Sequence, residues 1–301
     1  GKRLRAAFCY WGWRAAGQPD SDAMVRAAAA MELVHAAAVV HDDLIDDSPI
    51  RRGAPTAHLA LRHAVADGPG REAGGKSLAM LVGDLLMSWA GQLFATCGLP
   101  AAYLARARPL WATLARELIA GECLEILRTR STPSAASSLE IVRYKTAKYT
   151  VEHPLHLGGL LAGAPPALLA VFSAYGVPLG EAFQLRDDLL GVFGDPSRTG
   201  KSNLDDLAGA KPTALLALAF AGATPADRTH LRALPGRGDL AEAELELLRD
   251  IMERSGARAR VEELITDRVA AARTALDRAA LPRQAADALS DLVGAATART
   301  S

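Results

Sequence analysis

Apolar side chains recur along this chain at intervals of three and four residues rather than two, and alanine and leucine dominate the stretches between Gly and Pro. That spacing lays one apolar stripe along each segment and predicts helix throughout, an all-α chain. Breakers fall at 17–21, 48–55, 67–75, 130–134, 163–166, 194–202 and 234–238. Between them lie segments of about ten to thirty residues, ordinary lengths for packed helices. No Ser/Gly linker or internal repeat divides them, so residues 1–301 are expected to form a single large helical bundle.

One predicted helix carries an unusual burden. HDDLIDDSPIRRG, His41–Gly53, sets four carboxylates within six residues and follows them with two arginines. Nothing breaks a helix from Ala23 to Asp47, and Ser21 or Asp22 can cap its start. Asp42 and Asp46 then share one face, with Asp43 and Asp47 on the neighbouring stripe. The macrodipole disfavours negative charge at this end, and like charges at i, i+4 oppose folding by a few tenths of a kcal/mol each. A solvated acidic end is one reading; the apolar run AAAVV just before it favours a partly buried one. There a hard divalent cation such as Mg²⁺ would offset the repulsion and keep positions open for substrate phosphates. Arg51 and Arg52 supply forked donors suited to phosphate oxygens.

A second acidic pair, Asp187 and Asp188, stands in FQLRDDLLGVFGDPSRTGKSNLDDLAGAKPT, Phe183–Thr213, with Gln184 one turn before it. Downstream, Asp195, Lys201, Asp206 and Lys211 alternate in sign. Alone this is an acidic surface turn as readily as a site. Facing the first patch across a bundle, it could clamp Mg²⁺ ions around a diphosphate.

Composition narrows the field. Lys plus Arg equal Asp plus Glu at 34 each, so no basic footprint for nucleic acid or an anionic membrane surface exists. Cys9, Cys97 and Cys123 are odd in number and widely spaced, which suits small buried apolar residues in a reducing compartment. No uncharged run of eighteen apolar residues and no leader pattern is evident, so a cytoplasmic chain without stable membrane insertion is expected. No Ser/His/Asp or Cys/His arrangement announces a nucleophile.

Taken in order, GKRLR at 1–5, DDLID at 42–46 with RRG at 51–53, GD at 83–84, YKT at 144–146, and FQLRDD at 183–188 followed by GK and GAKPT resemble the trans-isoprenyl diphosphate synthases, including bacterial geranylgeranyl diphosphate synthases. The resemblance reaches to about residue 220 and implies the isoprenoid synthase bundle with a central substrate cavity. It implies that Asp42, Asp43, Asp46, Asp187 and Asp188 hold Mg²⁺ against an allylic diphosphate, with Asp42, Asp46 and Asp187 as metal ligands. Arg51, Lys145, Lys201 and Lys211 would assist, while Thr146 and Gln184 orient that end. Lys2, Arg5, His35 and Arg52 would bind isopentenyl diphosphate, and a homodimer is implied. His35 lies seven residues before Asp42, on the same face and about 10 Å away at 1.5 Å per residue, which agrees with two separate diphosphate pockets. A lone His on an apolar helix is otherwise a core residue.

Two departures stand out. Gly191 occupies the place of a third aspartate in DDLLG, with Asp195 one turn further on, and the chain opens inside its first motif, so a preceding helix is expected. Rival readings are a class I terpene cyclase, a metal-dependent phosphohydrolase and a catalytically silent synthase subunit. Product length remains between farnesyl, geranylgeranyl and longer chains. Ala37 and Ala38, five and four residues before Asp42, leave the cavity open where shorter-product members carry aromatics, and Trp89 or Phe94 could form a lower floor. These choices favour geranylgeranyl diphosphate.

Overall fold

A column runs through the middle of the molecule, and glycine sets how closely its neighbours approach. In the computed structural model, which describes residues 2–194 and 205–297, the column is a π-helical segment, Val142–Glu152, continued by helix α7, His153–Ala162. Around it stand α1 (Leu4–Ala15), α5 (Ala101–Arg128) and α8 (Pro166–Phe193). A Cβ at Gly121 of α5 would lie 2.4 Å from the Lys145 nitrogen, and one at Gly180 of α8 would lie 2.4 Å from the Ala147 Cα. At Gly12 of α1 it would come within 2.2 Å of the Leu155 carbonyl oxygen. No side chain fits at these three positions.

Helix α2, Asp22–Ile45, packs along α4, Arg71–Ala95, beside the column. Ser21 caps α2, its hydroxyl accepting from the Met24 amide at 3.4 Å. The helix ends two residues sooner than the apolar pattern predicts. Asp46 is its C-cap and Asp47 has φ 53°, so the chain leaves the helix where crowded carboxylates meet the dipole's negative end. A short hairpin follows, with Ile50 opposite Pro55 and Arg51 opposite Ala54, then the short α3, Ala57–Leu61.

The C-terminal third, unreadable as chemistry in the sequence, buttresses α8. Leu185 and Leu189 pack with Leu215, Leu248, Ile251 and Val261. Arg268 meets the buried Glu181 at 2.6 Å, and the Arg186 guanidinium forks onto Glu262 at 2.6 and 2.7 Å. On the other side Phe8, Tyr175 and Leu179 pack with Leu289 and Val293.

Two compositional expectations need correction. Helices α2, α4 and α8 are each long and apolar enough to cross a membrane by length and composition, because scattered charges hid them from a search for uncharged runs. Only 22% of the apolar window of α4 is buried, against 50% for α8, so α4 turns much of its apolar surface outward. Cys9 and Cys97 are buried as expected, whereas Cys123 is exposed.

Candidate active site

The end of α2 is built around charge neutralisation. Arg51, returned by the hairpin, donates to Asp43 at 2.6 Å and to Asp42 at 3.0 Å. Its fork therefore grips carboxylates, where the sequence reading aimed it at phosphate. Lys145 reaches Asp42 at 3.0 Å, Glu122 at 2.9 Å and Glu125 at 2.6 Å. Lys211 meets Asp46 at 2.5 Å and lies 4.0 Å from Glu125. Burial alone would push the Asp42 carboxyl up, but Lys145, Lys211 and Arg51 hold it far below the usual carboxylate range. Burial likewise opposes charge on Lys145, and the carboxylates Asp42, Glu125 and Glu122 outweigh it, holding the ammonium well above its ordinary value.

Glu122 and Glu125 escaped the sequence reading. They stand one turn apart on the same stripe of α5 as Leu118 and Leu114, so an acidic pair interrupting an apolar face was the available signal. Burial raises the Glu122 carboxyl despite Lys145, and its Oε1 is buried without a hydrogen-bond partner.

The second acidic pair is tied to the first through consecutive residues of the π-helical segment. Lys145 points to Asp42, and Thr146 donates to Gln184 Oε1 at 2.8 Å. The Gln184 amide in turn donates to Asp188 Oδ1 at 2.8 Å. A π turn spaces side chains differently from an α turn, and such segments recur at functional sites. Asp187 sits beside Asp188 on α8, half-buried. Lys201 and Asp195 lie outside the described residues, as do the side-chain surroundings of Asp206.

A separate basic group lies further along α2. The Arg5 guanidinium sits over the Tyr149 ring, 4.4 Å from its centroid, and donates to the Thr150 hydroxyl at 2.9 Å. Arg5 Nε is buried without a hydrogen-bond partner. Tyr149, which the sequence reading missed, lies 3.3 Å from His35 Nδ1, and burial pushes its phenol up to about 12. The phenol therefore stays protonated and shares one hydrogen bond with the His35 imidazole. Burial, reinforced by Arg5, Arg52 and Arg51, lowers the His35 imidazole to about 3. Three guanidinium groups thus act on one neutral imidazole, which marks a place for an anion. The Lys2 ammonium donates to the Ala295 carbonyl at 2.8 Å on the last helix, Arg283–Thr297.

The donor set suits a hard divalent cation. Asp42, Asp43, Asp46, Glu122 and Glu125 face Arg51, Lys145 and Lys211, so five carboxylates against three cations leave two negative charges when all are ionised. All the anionic donors are oxygens, the ligands Mg²⁺ prefers. No three His, Cys, Asp or Glu side chains already converge as a metal cage among the described residues. The Trp89 expectation fails: that ring is 49% exposed on the outer face of α4. Ala37 is fully buried, so it lines no open space and the expectation set on it fails, whereas Ala38 is half-buried against the core; Phe94 of α4 stacks on Trp111 of α5 at 4.3 Å between ring centroids.

Comparison with known proteins decides the relationship. The polyprenyl synthetase family model matches residues 1–252. The chain belongs to the polyprenyl synthetase family. Within that family it is 36% identical to a geranylgeranyl pyrophosphate synthase from Corynebacterium glutamicum, whose crystal structure is complexed with isoprenyl diphosphate and magnesium. The TM-score is 0.93, covering 99% of this chain and 86% of that one. It is 34% identical over 214 residues to a (2E,6E)-farnesyl diphosphate synthase of Mycobacterium tuberculosis, 71% of this chain but only 55% of that relative's length. An octaprenyl diphosphate synthase of Escherichia coli is 30% identical over 274 residues, 90% of this chain and 79% of the relative. Polyprenyl synthetase relatives thus make products of very different length, and the all-α fold is common ground.

Proposed function

We propose that this chain condenses isopentenyl diphosphate head-to-tail with an allylic diphosphate to give a longer all-trans prenyl diphosphate. The observation that carries this reading is the pair Lys145 and Thr146, adjacent residues that join the Asp42 end of the site to the Gln184–Asp188 end. Asp42, Asp46 and Asp187 would hold Mg²⁺, which when bound supplies positive charge for the leaving diphosphate. Lys145 and Lys211 add fixed positive charge at the same end, where it stabilises charge developing on the departing oxygen. The allylic carbon–oxygen bond breaks with its electron pair leaving on the diphosphate. The alkene carbon of isopentenyl diphosphate bonds to the allylic carbon, and a proton lost from the isopentenyl unit passes to the released diphosphate. Arg5, Arg52 and neutral His35 orient the second substrate. Buried apolar walls of α2 and α5, with Met31, Val34 and Leu114, keep water from the cation.

Product length follows from depth. Trp111 lies eleven residues below Glu122 on α5, about 16 Å at 1.5 Å per residue. That depth admits three to four isoprene units of roughly 4–5 Å each. With alanine at 38, the Phe94–Trp111 stack replaces Trp89 as the floor, and geranylgeranyl diphosphate is the favoured product. The outward apolar stripe of Leu81, Leu85 and Trp89 on α4, with Ile119 and Ile126 on α5, supports a homodimer. The deciding experiment supplies isopentenyl diphosphate, an allylic diphosphate and Mg²⁺, then separates the dephosphorylated products. Geranylgeraniol is expected, with Ala38→Phe shifting output to farnesol and Phe94→Ala lengthening it. Wild-type output of farnesol alone refutes the assigned floor, and no elongation refutes the condensation. Leu85→Glu should convert a dimer to a folded monomer in size-exclusion with light scattering, and a monomeric wild type refutes the dimer.

A further inference from the structure

The hairpin carrying Arg51 and Arg52 is anchored by side chains that play no part in the chemistry proposed above. Arg52 and Gly53 both have positive φ, 54° and 77°, the signature of a tight two-residue turn whose first position is strained for an arginine. Something outside the turn must hold it. At its base Thr56 donates to the Ser48 carbonyl at 2.7 Å, and its amide donates to the Pro49 carbonyl at 3.2 Å. The Thr56 hydroxyl also lies 3.3 Å from Nδ1 of His58, a histidine only 3% exposed. The other ring nitrogen of His58 faces Asp47 at 3.5 Å, and Lys76 of α4 reaches the same Asp47 oxygen at 2.9 Å. Beneath them α3 and α4 are in backbone contact, since a Cβ at Gly75 would lie 2.5 Å from the His58 carbonyl oxygen.

Asp47 is thus where the end of α2, the hairpin, α3 and α4 meet, at a residue itself in the left-handed region. A half-exposed ion pair such as Lys76–Asp47 adds little to global stability. Its effect is local: it fixes the direction in which the chain leaves α2, and therefore where the turn carrying Arg52 stands.

We propose that Lys76, Asp47 and His58 are positioning residues that lock the hairpin and so present Arg52 to the diphosphate of isopentenyl diphosphate, while Arg51 is held by its own ion pairs to Asp43 and Asp42. This rests on the condensation proposed above. Two substrates make the device selective, because the hairpin acts on the second pocket through Arg52, whereas the allylic end keeps Lys145 and Lys211 from other elements and an Arg51 that its two carboxylates already hold.

Steady-state kinetics with each substrate varied in turn, together with hydrogen exchange over residues 48–56, tests the lock. Lys76→Met and Asp47→Asn should each raise KM for isopentenyl diphosphate about tenfold, with KM for the allylic diphosphate unchanged and kcat within about threefold. Both should speed exchange in the hairpin, and Lys76→Arg should restore wild-type values. Equal increases in both KM values, failure of arginine to rescue, or unchanged exchange would overturn the lock. Wild-type enzyme that does not elongate an allylic diphosphate would instead remove the condensation beneath it, and the exchange measurement still judges whether Lys76 holds the hairpin.

Discussion

The two acidic ends of the site look alike in sequence and are held in different ways. Each is a pair of aspartates on an apolar helix, Asp42 and Asp43 on α2, Asp187 and Asp188 on α8. At α2 the carboxylates are met directly by Arg51, Lys145 and Lys211. At α8 a chain of neutral groups, Thr146 to Gln184 to Asp188, sets the orientation of a carboxylate 5% exposed. Among the described residues, the α2 end is met directly by cations, and the contact described at Asp188 comes through neutral groups. Charge balance is sensitive to removal of a single group, because a buried partner is left uncompensated, whereas a neutral hydrogen bond is worth about 1 kcal/mol.

The comparison breaks most visibly at Asp42. Asp42→Ala should lower kcat by about a thousandfold or more, since it removes an oxygen proposed to hold Mg²⁺ and unbalances Lys145. It should also lower thermal stability rather than raise it, because the like-charge strain inferred from sequence is already relieved by cations. Near-normal turnover by coupled diphosphate release, or a rise in Tm, would show that α2 is not poised by charge.

Gln184→Leu probes the other end. It deletes both the acceptor for Thr146 and the donor to Asp188, and should reduce kcat/KM for the allylic substrate about tenfold while helix content by circular dichroism is unchanged. A loss as large as that at Asp42 would mean the two ends work on one principle.

The smallest effect concerns His35 and sharpens the contrast between the acidic ends and the basic pocket. Its imidazole is lowered to about 3 by burial and by Arg5, Arg52 and Arg51. Between the ordinary value near 6.5 and that lowered one, the unfolded chain holds a proton that the folded protein lacks. Stability from this site is therefore complete above about pH 6.5 and declines as pH falls toward 3. His35→Gln removes the decline, so urea midpoints of variant and wild type should converge between pH 7 and pH 4.5. A constant difference would place a charged imidazole in the pocket.

Most of the helical order was legible because apolar spacing repeats over many turns, and the same spacing placed Asp42 and His35 on one face correctly. Trp89 was misread for a related reason: periodicity reports which residues share a face but not which face looks inward, and α4 is apolar on more than one side. Glu122 and Glu125 were hidden because their meaning depends on Lys145, some twenty residues away across the α5–column contact. The π-helical segment had no sequence signal at all. Its YKT landmark was visible, but the partners of Lys145 and Thr146, on α2 and α8, belong to distant parts of the chain that apolar spacing does not bring together.

The glycine contacts around the column bear on how such a chain can change over generations. Gly12, Gly121 and Gly180 admit no side chain, so a lineage carrying this column is confined there to one residue each. The walls proposed to meet the growing lipid, at Ala38 and Phe94, lie away from these three glycine contacts. On the proposed floor, heritable variation in lipid size and heritable loss of the fold would draw on separate sets of codons, letting the product drift in a lineage while its scaffold stands still.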